Sequence, residues 1–279
     1  MDKYDVVQFD KSELSIVGEG QNGIVYADRN GMAYKFPKHD PALTALRYEV
    51  EIVEHVSKHL SVNVPKYDSS NLHRPIGEAY CAFPLIQGEK LTPDIYRNHR
   101  ESLSKQLLLL LDEIHSIPIV DTMSRVKMNF LDLYEDIKTL VFPLLDDNAK
   151  INTSKRFEQF FRTDHGVECD CFIHGDFGSS NIIVNRHTGV ITGIIDWAEA
   201  AIDNPAIDYS SLTCAVGIPE CKVDFLKLRP SISSMFEVSE FIQYTFPFQS
   251  VILDIKTNNN EELADALNAI NSGIGSVLT

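Results

Sequence analysis

The chain has 279 residues, 44% of them apolar, enough for one large domain or two unequal lobes around a real core. Lys and Arg number 25 against 40 Asp and Glu, a formal charge of −15 that argues against nucleic acid or an anionic membrane as partner and permits a cationic one. The cysteines Cys81, Cys169, Cys171, Cys214 and Cys221 are odd in number and lack paired zinc spacing, so neither a disulfide framework nor a structural metal is expected and a reducing cytoplasm fits best.

The first stretch, MDKYDVVQFDKSEL, is polar and carries no signal segment. SELSIVG and GIVYAD are rich in β-branched residues and read as strands, and Asn30-Gly31 followed by MAYKF predicts a two-residue hairpin turn into a third. PALTALRYEVEIVEHVSKHL opens on Pro41 and spaces Leu43, Leu46, Val50, Val53 and Val56 by three and four, which predicts an amphipathic helix. VPKYD and AYCAFPLI read as a further strand pair, the second ending near Pro84 in a connector at about residues 85–90. From residue 101 the pattern is helical in ESLSKQLLLLLDEIHSI, NFLDLYEDIKTLVFPLL and TSKRFEQFFRTD, and the five leucines Leu107–Leu111 fall far short of a bilayer span and read as a buried helix. NIIVN, RHTG and VITGIID form a predicted hairpin about Thr188-Gly189, followed by helical AIDYSSLTCAV, SSMFEVSEFIQYTFPFQSVI and EELADALNAINS. The expected fold is α+β and bilobal: a small β-rich lobe over residues 1–86 and a larger α-helical lobe over 87–279 that carries the hairpin.

Chemistry enters with GEGQNGIV, in which Gly18, Gly20 and Gly23 fit GxGxxGxV. A dinucleotide fold needs a helix directly after these glycines, whereas here a strand follows; the remaining functional reading is a flap whose backbone lies close over nucleotide phosphates. Lys35 on the next strand is placed to hold those phosphates, and Glu49 of the following helix to pair with it; Glu51, two residues further round, lies on another face and stays open. HGDFGSSN supplies the rest. Asp176 suits the carboxylate beside an attacking hydroxyl, and Asn181 and Asp196 suit hard oxygen ligands for Mg²⁺, with the hairpin expected to set positions 181 and 196 opposite each other. Between Arg186 and Lys222 no Lys or Arg occurs, while Asp196, Glu199, Asp203, Asp208 and Glu220 do. Each of these acids taken singly also fits a turn or a solvated face.

HGDFGSSN and GIIDWAEAAIDNPAIDYSSL together resemble the aminoglycoside phosphotransferase family, kinase-like enzymes acting on small molecules, and GEGQNGIVY, AYKFPK, LRYEVEIVEHV and LDEIHSIP fit the same family. The likeness runs from about residue 15 to 215 and is nearest in flavour to the 2″-type kinases. It implies a protein-kinase-like fold, Asp176 as catalytic aspartate, Asn181 and Asp196 as magnesium ligands, and Lys35 with Glu49 as the phosphate-positioning pair. By the same likeness His174 is a loop scaffold, Asp208 braces the catalytic loop, and FPLIQG is the hinge, with the Pro84 carbonyl and Ile86 amide meeting the purine. Phe83 then stands as gatekeeper, favouring guanine over adenine, or simply packs the core, so that both ATP and GTP stay open as donor. The expected acceptor is a small, cationic, hydroxyl-bearing molecule, an aminoglycoside first, with Glu199, Asp203, Glu237 and Glu240 as acidic candidates for its ammonium groups. The alternatives are a kinase of another small alcohol, such as a macrolide, choline, homoserine or a sugar-like metabolite, and a nucleotide-binding regulator without catalysis. A protein kinase fits less well, since the loop reads HGD rather than HRD and the metal segment IDW rather than DFG.

Overall fold

The computed structural model describes residues 14–123, 129–163, 170–257 and 263–273. Cys169 and the predicted element ends at Ser12, Glu13, Asp164, Glu261 and Glu262 lie outside them. The β-branched N-terminal runs form β1 (Ser15–Glu19), β2 (Gly23–Ala27) and β3 (Met32–Pro37), which with β4 (Cys81–Pro84) build a four-stranded antiparallel sheet in sequence order. The β2–β3 turn is one residue longer than expected. Asp28 N–H donates to the Met32 carbonyl at 2.9 Å, Gly31 N–H donates to the Asp28 carbonyl at 3.2 Å, and Gly31 takes φ +83°. A turn closed by a left-handed glycine suits a three-residue hairpin, and Asp28 Oδ1 secures it by accepting from the amides of Asn30 and Met32.

Helix α1 (Asp40–Val56) begins where Pro41 fits the first turn and His39 Nδ1 accepts from Ala42 N–H. Its buried face is Ala42, Leu43, Leu46, Glu49, Ile52, Val53 and Val56. Leu43 and Leu46 pack on Ala33, Cys81 and Phe83 of the sheet. The strand expected at Val64–Asp68 is reduced to one bridge, Asp68 with Ala82, because Pro65 has no N–H for a ladder and β4 pairs with β3 instead.

The C-terminal region is helical. After β5 (Glu89–Lys90) and α2 (Pro93–Asn98), α3 (Arg100–His115) buries Leu103, Leu107, Leu108, Leu110, Leu111 and Ile114 and turns Leu109 outward at 61% exposure, so the leucine run is a core helix with one wet position. The single helix expected at 129–145 breaks up: α4 (Phe130–Asp136) continues into a wide turn at Ile137–Val141 and a tight one at Phe142–Leu144. Pro143 has no N–H with which to carry the helical ladder on. Helix α5 (Asp147–Arg162) starts six residues before the predicted Thr153, on an Asp146 cap that accepts from Ala149 N–H.

Strand β6 (Cys171–Ile173) pairs antiparallel with β9 (Ala201–Asp203), while β7 (Ile182–Asn185) and β8 (Val190–Ile194) form the predicted hairpin, with β5 on its outer edge. Then come α6 (Ala206–Thr213), α7 (Glu220–Leu228), α8 (Ser233–Thr257) and α9 (Leu263–Asn271). One core joins α3, the hairpin, Trp197, α6 and α7; a second, dominated by Phe157, Phe241 and Phe248, joins α4, α5, α8 and α9. No helix among the described residues is long and apolar enough to cross a membrane.

Candidate active site

The glycine flap is the β1–β2 turn, closed by a bond from Gly20 N–H to the Gly23 carbonyl at 3.0 Å. Its glycines serve two purposes. A Cβ on Gly23 would lie 2.7 Å from the Phe36 carbonyl oxygen, so Gly23 lets β2 lie against β3; a Cβ on Gly20 would meet nothing within 4 Å, and that backbone faces open space. Lys35 and Glu49 meet as predicted: Lys35 Nζ donates to Glu49 Oε2 at 2.7 Å and to Asp196 Oδ1 at 3.0 Å. Glu49 is fully buried, whereas Glu51 is exposed, which resolves the alternative between them. Burial alone would depress the Lys35 ammonium, but Glu49 and then Asp196 outweigh it and hold the group well above its ordinary value, so it stays charged. Asp196 shows the reverse: burial would raise its carboxyl, and Lys35 brings it below the usual range.

The loop His174–Asn181 is fixed from three sides. Asp208 is buried; its Oδ2 accepts from His174 N–H (3.0 Å) and from His115 Nε2 (3.0 Å), and its Oδ1 accepts from Gly175 N–H (2.9 Å). His174 Nδ1 accepts from Asp176 N–H at 3.2 Å, which leaves the ring proton on Nε2 to donate to the Ile195 carbonyl at 3.1 Å. The imidazole is thus a buried scaffold with both nitrogens engaged. Gly175 takes φ +82°, and any Cβ there would run into the Glu199 carbonyl.

Asp176 projects from this loop, exposed, and Asn181 Nδ2 donates to its Oδ2 and to its backbone carbonyl, both at 2.9 Å. The hairpin register differs from expectation by one residue: Ile182 faces Ile194, so position 181 faces 195, and Ile195 N–H donates to the Asn181 carbonyl at 2.9 Å. The Asn185–Gly189 turn and an irregularity between Ile183 and Val184 set this register. Asp196 then leaves the strand at φ +66°, a left-handed conformation that Asp tolerates better than most residues, and its half-exposed side chain reaches Lys35.

The donor set suits magnesium. With its amide nitrogen committed to Asp176, Asn181 has Oδ1 to offer beside the Asp196 carboxylate, two hard oxygens of the kind Mg²⁺ accepts together with nucleotide phosphates. Among the described residues no group of three or more His, Cys, Asp or Glu could hold a metal ion by itself. Cys81, opposite Lys35 in the sheet, is pushed up to about 12 by burial first and then by Glu49, and stays a neutral core thiol.

Phe83 is 8% exposed and packs edge-on against Tyr67, so it belongs to the N-terminal core, while Pro84 beside it is exposed. The Leu85 amide is taken by the Gly31 carbonyl at 2.8 Å, and the Ile86 side chain covers Gly193 of the hairpin. Of the acidic candidates for an acceptor, Asp203 is buried in β9 and Glu240 is paired with Lys222, so neither is a free wall charge. Glu199 is exposed on the turn after Trp197. Partial desolvation and then the negative charges of Asp176 and Asp196 push its carboxyl up. A raised carboxyl contributes stability only below its ordinary 4.5 and loses it as pH rises, so three like charges tax the fold at neutrality. Glu199→Gln should therefore stabilise the fold at pH 7 by less than ~1 kcal/mol, since the group is exposed and screened, and the melting temperature should rise accordingly. The gain should vanish below pH ~4; a melting series showing no pH dependence would remove this account.

Residues that sequence reasoning passed over bind the parts together. The Tyr48 hydroxyl donates to the Ala200 carbonyl at 2.6 Å, the Tyr67 hydroxyl to Glu49 Oε1 at 2.6 Å, and Trp197 N–H to the same oxygen at 3.3 Å. The only signal for His115 was its place in LDEIHSIP.

A strand lysine paired with a buried helix glutamate, facing an Asp-Asn loop and an aspartate at the foot of a hairpin, on an antiparallel sheet joined to a helical region, defines a kinase-like fold and site. The chain matches the phosphotransferase enzyme family over residues 19–221, more than half its length, and it belongs to that family. It is 27% identical over 134 residues to the viomycin phosphotransferase of Streptomyces vinaceus, an alignment covering 47% of this chain and 46% of that protein, so the match spans about half the curated relative. In fold it is similar to the GDP and kanamycin complex of an APH(2″) enzyme (TM-score 0.83, 19% identity, 97% of this chain and 95% of that one). It is also similar to a macrolide 2′-phosphotransferase of type I (TM-score 0.69, 16% identity, 92% and 90% covered).

Proposed function

We propose that this chain transfers the γ-phosphoryl group of ATP or GTP to a hydroxyl of a small cationic molecule, with an aminoglycoside as the leading acceptor. The observation that carries the reading is the convergence of Lys35, buried Glu49 and Asp196 on one side with Asp176 and Asn181 on the other. Residues 1–86 are taken as the nucleotide lobe and 87–279 as the catalytic and acceptor lobe. Gly18, Gly20 and Gly23 cover the phosphates, Lys35 fixed by Glu49 binds them, and the Pro84 carbonyl and Ile86 amide meet the purine beside Phe83. The acceptor oxygen attacks the γ-phosphorus as the bond to the β–γ bridging oxygen breaks; Asp176 takes the hydroxyl proton and the nucleoside diphosphate leaves. Asn181 and Asp196 would hold Mg²⁺, which when bound neutralises phosphate charge.

The names of the relatives, which act on viomycin, aminoglycosides and macrolides, support an antibiotic acceptor. The lysine- and arginine-free interval 187–221 and the net charge of −15 support a cationic acceptor and no nucleic acid. The free thiols among the described residues support a cytoplasmic setting. The test is nucleoside diphosphate release from ATP and from GTP in the presence of Mg²⁺, against a panel of aminoglycosides, viomycin, macrolides and small alcohols. Stimulation by an aminoglycoside is expected; stimulation only by another class reassigns the acceptor, and nucleotide binding without turnover on any acceptor replaces the enzyme by a regulator.

A further inference from the structure

Glu49 has two carboxylate oxygens, and only one of them holds Lys35. Oε2 receives the ammonium at 2.7 Å, while Oε1 receives the Tyr67 hydroxyl at 2.6 Å and the Trp197 amide at 3.3 Å. A fully buried carboxylate with one ion-pair partner keeps a single orientation only if its second oxygen is also satisfied. The Trp197 bond is long, so the short phenolic bond is the stronger constraint on that oxygen.

Tyr67 is itself held in place. Its neighbour Asp68 exchanges two backbone bonds with Ala82 of β4, Asp68 N–H to Ala82 O at 2.7 Å and Ala82 N–H to Asp68 O at 3.1 Å. Its ring lies edge-on to Phe83, 5.0 Å between centroids at 77°. Burial first, and then the charge of Glu49, push the phenol well above its ordinary value, so it stays an O–H donor throughout the working pH range.

We infer that Tyr67 is a positioning residue for Lys35: acting through Glu49, it sets which way the ammonium points between the phosphate site and Asp196. This rests on the nucleotide-site reading above. Lys35 is shared between Glu49 and Asp196, 2.7 and 3.0 Å away. If the phenol is removed, Glu49 Oε1 keeps only the long amide bond and the carboxylate is free to turn about its side-chain bonds. Lys35 then settles on Asp196, the carboxylate assigned to Mg²⁺, and both phosphate and cation are held less well. Because Phe83 touches the Tyr67 ring, the side chain beside the purine is mechanically joined to the group that holds the phosphates.

Tyr67→Phe keeps the ring and its contact with Phe83 and deletes one hydroxyl. The native chain, Tyr67→Phe, Glu49→Gln and the double variant are titrated calorimetrically with Mg²⁺·ATP and Mg²⁺·GTP, with melting temperatures recorded alongside. Tyr67→Phe is expected to bind nucleotide about tenfold more weakly while melting within a few degrees of native, the size of one hydrogen bond to a charged group. In the Glu49→Gln background the same change should cost little further, since the residue it acts through is already altered. Native affinity in Tyr67→Phe, or a loss that adds in full to that of Glu49→Gln, overturns the inference. If the native chain binds neither nucleotide, the nucleotide-site reading falls and takes the inference with it, an outcome distinct from the other two.

Discussion

Replacing Asp176 by alanine is expected to lower phosphoryl transfer by about 10²–10⁴-fold while nucleotide affinity stays near native, the range associated with loss of a positioned general base. The two effects separate because of how Asn181 is anchored. Its amide nitrogen donates to both the Asp176 carboxylate and the Asp176 backbone carbonyl at 2.9 Å, and only the first bond disappears in the variant. Asn181 therefore keeps its place on the hairpin. Lys35, Glu49 and Asp196 make their mutual contacts without Asp176 and should hold the phosphates as before. Asp176→Asn is the companion variant: it preserves shape and an oxygen that can still accept from Asn181, but it has no lone pair suited to take a proton near neutral pH. Both variants should lose turnover to a similar extent, read as nucleoside diphosphate release at saturating acceptor, with binding followed by calorimetry. Turnover above a tenth of native in either would assign the proton to another group, and loss of nucleotide affinity equal to the loss of turnover would make Asp176 a binding residue.

The parts of this site legible in the sequence are those for which one residue type does one job at a fixed spacing. Lys35 follows the glycine flap on the next strand, Glu49 falls on the inner face of a helix whose apolar spacing defines that face, and Asp176 and Asn181 lie five apart in a loop of small residues. Periodicity separates Glu49, buried, from Glu51, exposed, because two residues along a helix is more than half a turn. What was not legible depends on pairings that short strands leave unmarked. The three-residue strands β6 and β9 carry too little pattern to detect, yet their pairing brings the His174–Asn181 loop up to Asp208 and Glu199. The hairpin register was misjudged by one residue because its turn and irregularity follow from backbone geometry that no residue type announces. Tyr67 lay in a segment read as a strand, where a phenol is an ordinary β-former, and only the folded chain sets it against a helix carboxylate.

Asp208→Ala is expected to destabilise the protein by about 3–5 kcal/mol, a large share of the ~5–15 kcal/mol typical of a folded domain. Asp208 is fully buried and accepts three hydrogen bonds, from the amides of His174 and Gly175 and from His115 Nε2. Alanine leaves the buried His174 amide and the part-buried Gly175 amide and His115 ring without this acceptor, and each buried unsatisfied group costs about 1–3 kcal/mol. Water cannot readily replace the carboxylate, since the His174 ring packs on fully buried Trp197 and the His115 ring on nearly buried Tyr209. Asp208→Asn should be milder: its one oxygen can accept from the His174 amide and His115, but its NH₂ then faces the Gly175 N–H. That conflict falls on the one residue of the loop held at φ +82° with no room for a Cβ beside Glu199. The asparagine variant should therefore fold, lose turnover, and exchange the His174 and Gly175 amide protons faster than native, while residues of β1–β3 stay protected. Urea unfolding and amide exchange measure both claims. A loss below ~1 kcal/mol in Asp208→Ala, or unchanged exchange at His174 and Gly175 in Asp208→Asn, would mean that the loop keeps its shape without this carboxylate. The Asp176 backbone amide is bound to His174 Nδ1, and the His174 amide to the buried Asp208, so the carboxylate proposed to take the proton is aimed through Asp208.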